Sequence, residues 1–260
     1  MKLWQKGAAA HEKVDHFTVG KDREYDLVLA QYDCQASSAH AKMLVKIGLI
    51  RPEEAEQLVA VLTEIQQQAE AGTFTIEKEF EDMHSKIEHV LTERLGDLGK
   101  KIHTARSRND QVLVAMHLYI KHELGAIKTQ VTALFDLLLS LAEKHQNELM
   151  PGYTHLQVAM PSSFGLWFSA YAESLIDDLY FWQSAHKIAD QNPLGSAAGY
   201  GSAFPIDRDF TTKALDFSQL KINSVAAQMS RGKLEKSTAM ALSAIGSTLA
   251  KFSMDVCLYM

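Results

Sequence analysis

Cysteine, proline and glycine are all scarce in this 260-residue chain, and each scarcity closes off a class of protein. The two cysteines, Cys34 and Cys257, stand far apart and in no metal-ligand spacing, which argues against a disulfide framework and for reduced thiols in a cytosolic protein. Five prolines and 14 glycines leave long stretches without a helix breaker, while Ala, Leu, Lys, Glu and Gln recur, so the composition points to helix. Strand-type alternation is nearly absent, and no internal repeat or low-complexity tract stands out. A net charge of −6, from 26 basic and 32 acidic residues with no long basic run, makes nucleic acid a poor partner. The opening MKLWQKGAAAHEK has no apolar core of signal-peptide length, and charges are expected to interrupt every later hydrophobic stretch before membrane-spanning length. The expectation is a soluble, cytoplasmic chain with no membrane partner.

Residues 1–36 are mixed, with a glycine-bearing turn near Gly20 and an apolar run from Leu27 to Tyr32. A helical pattern begins at Ser37 through Ala39, Met43, Leu44 and Ile47 and ends at Gly48; Pro52 opens another, with Leu58, Val61, Leu62 and Ile65, that Gly72 closes. Glu81 to Leu95 repeats the pattern through Met83, Ile87, Val90 and Leu91. From Ser107 to Met150 there is no proline and one glycine, and heptad-like apolar spacing predicts one helix of about 40 residues, roughly 60 Å long. Pro151 and Gly152 break it, and Pro161 opens a second long helix to about Asp190. LGSAAGYGSAFP reads as a loop before a short helix near Asp209, and a third long helix runs from about Ser224 to Met260. The fold expected is all-α: a small helical N-terminal domain over residues 1–105, then long helices of a bundle over 106–260. The last helix stops at CLYM with no cap or polar tail, so the bundle is expected to be incomplete.

Several familiar devices are missing. LGSAAGYGSAFP lacks GxxxxGK[ST] spacing and follows no strand, so it is no phosphate cradle. No GxSxG elbow occurs, and no serine sits beside a local base. HSKIEH, His84 to His89, has one residue too many for HxxEH, and on a helix His89 lies about 140° from His84, which argues against zinc. His117 and His122 share that offset.

What is present is concentrated in two strings. HTARSRNDQ, His103 to Gln111, sets Arg106, Ser107, Arg108 and Asn109 at the start of the first long helix, where forked cations, short polar donors and a positive helix end suit a di- or tricarboxylate. The structural alternative is a solvated cap, with Ser107 or Asn109 as N-cap and Asp110 neutralising Arg106 or Arg108. PGYTHLQ, Pro151 to Gln157, places His155 where an imidazole can move protons near neutral pH, with the Thr154 hydroxyl beside it. The alternative there is a hydrogen-bonded structural histidine.

Together with EDMH at Glu81 to His84 and the LGSAAGYG loop, these strings resemble the argininosuccinate lyase family of the fumarase and aspartase superfamily over nearly the whole chain. The resemblance implies an L-aspartase/fumarase-like helical fold, cleavage of argininosuccinate to arginine and fumarate by β-elimination, no cofactor and no metal, and a homotetramer whose active sites are shared between subunits. It implies an acid/base role for His155, a substrate contact for Thr154, and carboxylate and amino-acid contacts for Ser107, Arg108 and Asn109. His84 matches a histidine near the pocket, and Arg231 matches an arginine on the third long helix.

The departures matter as much. The family's GSSxMPxKxNP loop, whose serine is the other principal acid/base group, does not occur in these residues, so the resemblance covers about the first 60% of a full enzyme. Ala105 replaces the glycine of the commoner HTGRSRNDQ, Met160 stands where glutamine is frequent, and Gly232 follows Arg231 where aspartate is frequent. Asp22 falls where many relatives place a substrate-binding serine. Two readings compete with the lyase: a noncatalytic truncated or crystallin-like relative, and another fumarate-producing lyase acting on adenylosuccinate, aspartate or malate.

Overall fold

A computed structural model describes residues 12–259; the opening residues 1–11, read above for the missing signal peptide, and Met260 lie outside them. In chain order the helices are α1 (Glu12–Val19), α2 (Asp22–Lys46), α3 (Pro52–Glu70), α4 (Met83–Leu95), α5 (Asp97–Lys100), a 3-10 turn at Lys101–His103, and α6 (Arg108–Lys144). Strands β1 (Leu149–Thr154) and β2 (Gln157–Ser163) precede α7 (Phe164–Ala189). Then follow β3 (Gln191–Asn192), α8 (Arg208–Ala214), β4 (Gln219–Leu220), α9 (Ser224–Met229) and α10 (Lys233–Tyr259). The all-α expectation holds, with two small strand pairs added.

Packing divides the chain into two compact units. One takes the chain up to Tyr119 with Asp190–Arg231; the other takes Ile120–Ala189 with Gly232–Met260. This grouping differs from a linear division at 105/106 because Leu194, Leu215 and Phe217 return to the core built by Leu44, Leu58, Leu62, Ile65, Met83, Ile87 and Leu91. In the first unit α3 starts on Pro52, with Arg51 N donating to Glu54 Oε2 at 2.9 Å, and α4 starts on Asp82, whose carboxylate accepts from Ser85 N at 2.7 Å. Each start follows the N-cap and first-turn chemistry of helices. The helix expected from Ser37 begins at Asp22, because its buried face continues back through Cys34, Tyr32 and Leu29.

In the second unit α7 and α10 pack with the rest of α6 around Val131, Leu138, Ala172, Leu175 and Ile245. Trp182 Nε1 donates to the Leu124 carbonyl at 2.8 Å, and Asp255 Oδ2 accepts from Trp167 Nε1 at 3.0 Å and Tyr171 OH at 2.6 Å. Gly165 opens the way for α6 to close on the start of α7: a Cβ there would stand 2.6 Å from Gln146 Cα and 2.7 Å from the Ala142 carbonyl oxygen.

Three expectations are corrected. Pro161 does not open a helix; it faces Pro151 in the antiparallel β1–β2 ladder, and α7 begins at Phe164. The third long helix is broken at Ser230–Gly232, where Gly232 takes φ +77, the left-handed conformation that ends a helix without a Cβ clash. Finally, α6 and α10 are long and apolar enough to cross a membrane by length and composition, so charge does not interrupt every apolar stretch. Such helices also serve as packing elements of bundles, as α10 does against α7.

Candidate active site

The turn before α6 is built as a capping box. Ser107 Oγ accepts from Asn109 N at 3.3 Å, and Ser107 N donates to Asp110 Oδ1 at 2.9 Å. Thr104 O, three residues earlier, lies 2.9 Å from His40 Nε2 of α2. Burial holds His40 near pKa 3, with the Arg106 charge adding to the effect, so it is neutral and donates from Nε2 to this carbonyl.

The two arginines of the motif diverge. Arg106 is buried and donates to Ser37 Oγ at 2.8 Å, so it serves the interior. Arg108 turns to the start of α4, with Nη1 3.0 Å from Asp82 Oδ1 and Nη2 3.8 Å from Glu88 Oε2. Asp110 neutralises neither by direct contact. Its second oxygen accepts the backbone amides of Gly195 and Ala197, at 2.9 and 3.0 Å.

His84, the second residue of α4, is buried, with Nδ1 3.0 Å from Asp33 Oδ1 on α2. The same Asp33 oxygen accepts from Gln111 Nε2 of α6 at 3.0 Å. Burial pushes the Asp33 carboxyl above its ordinary value, opposed by the Arg106 charge and the Gln111 hydrogen bond. One carboxylate of α2 thus accepts from α6 and lies against the His84 ring of α4.

Arg231 sits in the break between α9 and α10, not on a helix, and its Nη2 donates to the Asn109 carbonyl at 3.2 Å and to Asn109 Oδ1 at 3.1 Å. The first unit therefore brings Arg231, Asn109 and Ser107 into one cluster, with Arg108 reaching Asp82 at the start of α4 and His84, on α4, turned to Asp33. Arg231 and Asn109 are exposed, and Ser107 and Arg108 are partly exposed.

Thr154 and His155 belong to the second unit. They end β1 at a two-residue turn where His155 and Leu156 take φ +52 and +58, the left-handed pair that a primed hairpin turn requires. Non-glycine residues held there cost free energy, and such strain tends to collect at functional sites. Both Thr154 and His155 are exposed, so the imidazole is presented to solvent.

Sequence reasoning missed Asp33, Gln111 and Asp110 as organisers. Ser-x-x-Asp at 107–110 is itself a capping-box signal, but the contacts of Asp110 with Gly195 and Ala197 span 85 and 87 residues and leave no local pattern. Among the described residues no group of three or more His, Cys, Asp or Glu side chains is placed to hold a metal.

A family model described as "Lyase" matches residues 10–260. The chain belongs to this lyase family. Argininosuccinate lyase of Phocaeicola vulgatus is 53% identical over 258 residues, 99% of this chain and 58% of that protein. The argininosuccinate lyase of Thermotoga neapolitana is 43% identical over 255 residues, 98% of this chain and 64% of that protein. This lyase chain therefore spans about three-fifths of the length of the relatives it matches, in keeping with the resemblance drawn from its motifs. Among solved structures, EDDS lyase in complex with formate superposes with a TM-score of 0.82 at 22% identity, covering 97% of this chain and 50% of that one. A fumarate lyase:delta crystallin from Brucella melitensis gives 0.75 at 18% identity, covering 89% and 55%. Both share the lyase fold.

Proposed function

We propose that this lyase chain contributes to cleavage of argininosuccinate to arginine and fumarate. The observation that carries the reading is 53% identity to an argininosuccinate lyase across 99% of the chain. In the elimination a base removes a proton from the succinyl carbon next to a carboxylate. The carbon–nitrogen bond then breaks, its electron pair leaves on the guanidino nitrogen, and that nitrogen takes up a proton. Negative charge builds on the succinyl carboxylate meanwhile, and donors fixed in advance stabilise it. Ser107, Asn109, Arg108 and the positive end of α6 are the donors, with Arg231 beside Asn109. His155 moves a proton and Thr154 holds a substrate oxygen next to it; His84 supports the pocket. No cofactor enters this chemistry. The working form is a cytoplasmic homotetramer with active sites shared between subunits.

The test joins residues 1–260 to the remaining C-terminal length of the Phocaeicola vulgatus enzyme and follows fumarate by ultraviolet absorbance. Fumarate from argininosuccinate, and none from adenylosuccinate, aspartate or malate, is the expected result. A folded joined protein that releases none overturns the reading. In that case argininosuccinate-dependent thermal stabilisation without turnover would favour the noncatalytic alternative. Light scattering on the eluting protein tests the tetramer.

A further inference from the structure

The contacts that fix Arg231 do not begin at Arg231. They run back through the 194–197 loop to one buried carboxylate. We propose that Asp110 is a positioning residue of the candidate site, holding the Ser107–Asn109 turn and the 194–197 loop together and so fixing where Arg231 meets Asn109. The proposal rests on the lyase reading for what the site binds, but its geometry stands alone.

Asp110 is fully buried, and its oxygens accept three backbone amides: Ser107 at 2.9 Å on one, Gly195 at 2.9 Å and Ala197 at 3.0 Å on the other. Bonds from amides to an ionised acceptor are about twice as strong as neutral ones. The loop is gripped from a second side by Gln228 of α9, whose Nε2 donates to Ser196 Oγ and to the Ala197 carbonyl, each at 3.0 Å. Arg231 follows three residues later and bonds Asn109, the neighbour of Asp110. The path runs from Asp110 through the loop, Gln228 and Arg231 to Asn109, and the backbone of α6 closes it.

The loop has little freedom to take another course. Arg208 donates to the carbonyls of Leu194, Lys221 and Ile222 at 2.9, 2.7 and 3.0 Å, so one cation collects the carbonyls while one anion collects the amides. Gly195 runs at φ +86 with Arg208 Cγ 2.7 Å from where a Cβ would be, and Ala197 sits at φ +51. A left-handed alanine such as Ala197 persists only where surrounding contacts over-determine it. An exposed arginine loses rotamer freedom when fixed, and a site needs its donors held to within about 0.5 Å, so the support beneath Arg231 matters.

The experiment uses the 260-residue chain and amide hydrogen exchange read by nuclear magnetic resonance. In the unsubstituted chain Gly195 and Ala197 exchange slowly, unlike the amide of exposed Tyr200. Asp110→Asn, which keeps the shape and loses the charge, speeds exchange at both by about tenfold or more. It also frees the Arg231 side-chain signal, while Leu58 and Leu62 in the α3 core keep their protection. A role limited to general stability would instead raise exchange across the first unit together, and that result overturns the proposal. If Asp110→Asn does not fold, the unsubstituted chain decides: exchange at Gly195 and Ala197 as fast as at Tyr200 removes the clamp. Fumarate titration of the joined protein, watched at the Asn109 side-chain amide, separates the two readings. Binding weakened about tenfold by Asp110→Asn supports the positioning role, whereas no binding to the unsubstituted joined protein tells against the lyase site and leaves the exchange result standing.

Discussion

The turn before α6 and the β1–β2 hairpin carry the two strings that stand out in the sequence, and they are held in opposite ways. The turn is fixed by His40 through Thr104, by its own capping box and by Arg231, above a buried Asp33–His84–Gln111 cluster. The hairpin is fixed by its ladder, with Thr154 paired to Gln157 and an irregularity between Pro151 and Tyr153. The donors proposed to bind substrate are thus set in a packed frame, while the His155 imidazole, proposed to move the proton, stands on an exposed strained turn. Chemistry and stability should therefore separate cleanly at the hairpin and be entangled at the turn.

The largest effect tests that separation. In the joined enzyme His155→Asn is expected to lower the rate of fumarate release by about 10²–10⁴-fold, the usual worth of a positioned acid or base. The thermal midpoint should hardly move, because the imidazole is exposed. Activity within about threefold of the parent would remove His155 from the proton transfer.

The next contrast lies in stability. Leu62→Ala, in the fully buried core of the first unit, should cost about 2–5 kcal/mol in urea unfolding followed by far-ultraviolet circular dichroism. Val158→Ala on β2 should cost no more than about 0.5 kcal/mol, since Val158 is 70% exposed. Equal costs would mean that the hairpin is as firmly packed as the core.

Acid and base should pull the first unit in opposite directions. His40 is held near pKa 3 against an ordinary 6.5, chiefly by burial, so its contribution is complete above about pH 6.5 and is lost as pH falls towards 3. Asp26, whose carboxylate accepts from Met83 N at 3.1 Å, is raised to about 6 from 3.8, again chiefly by burial. It binds its proton more tightly folded than unfolded, so its contribution is complete below about pH 3.8 and is lost as pH rises through 6. Asp26→Asn should then gain about 1 kcal/mol at pH 7, after discounting for partial solvent screening, and nothing at pH 3. Unfolding midpoints across that range check both signs; a gain that persists at pH 3 would contradict the assignment.

How legible this was follows the range of the contacts. Gly48, Pro52 and Gly72 marked real helix ends, and the apolar spacing of Leu58, Leu62 and Ile65 named buried residues. The hairpin was hidden because QVAMPSS alternates weakly and because Pro151 of β1 and Pro161 of β2 read as helix punctuation, although they face one another across the ladder. The break at Gly232 was hidden because apolar residues continue on both sides of it. Ser107 and Asn109 announced themselves by type, whereas Asp110 looked like a local counter-ion and became a bridge to Gly195 and Ala197 that only the folded path creates.

The smallest effect sets the two regions against each other through the same backbone fault. Ala105 in the turn takes φ +61, and Leu156 in the hairpin takes φ +58. A left-handed L-residue costs about 1–2 kcal/mol, and glycine removes that cost while adding about 0.5–1 kcal/mol of unfolded-chain entropy, so each change to glycine should gain roughly 0.5–1 kcal/mol. Where the gain appears is the discriminating point. Ala105 lies between Thr104, held by His40, and the buried Arg106, so Ala105→Gly should raise the unfolding midpoint of the first unit. Leu156 is 84% exposed, so Leu156→Gly gives up no packing and should slow amide exchange along the ladder without moving that midpoint. A midpoint raised equally by both would show that the hairpin unfolds together with the first unit, and the contrast between a framed turn and a self-supported one would fail.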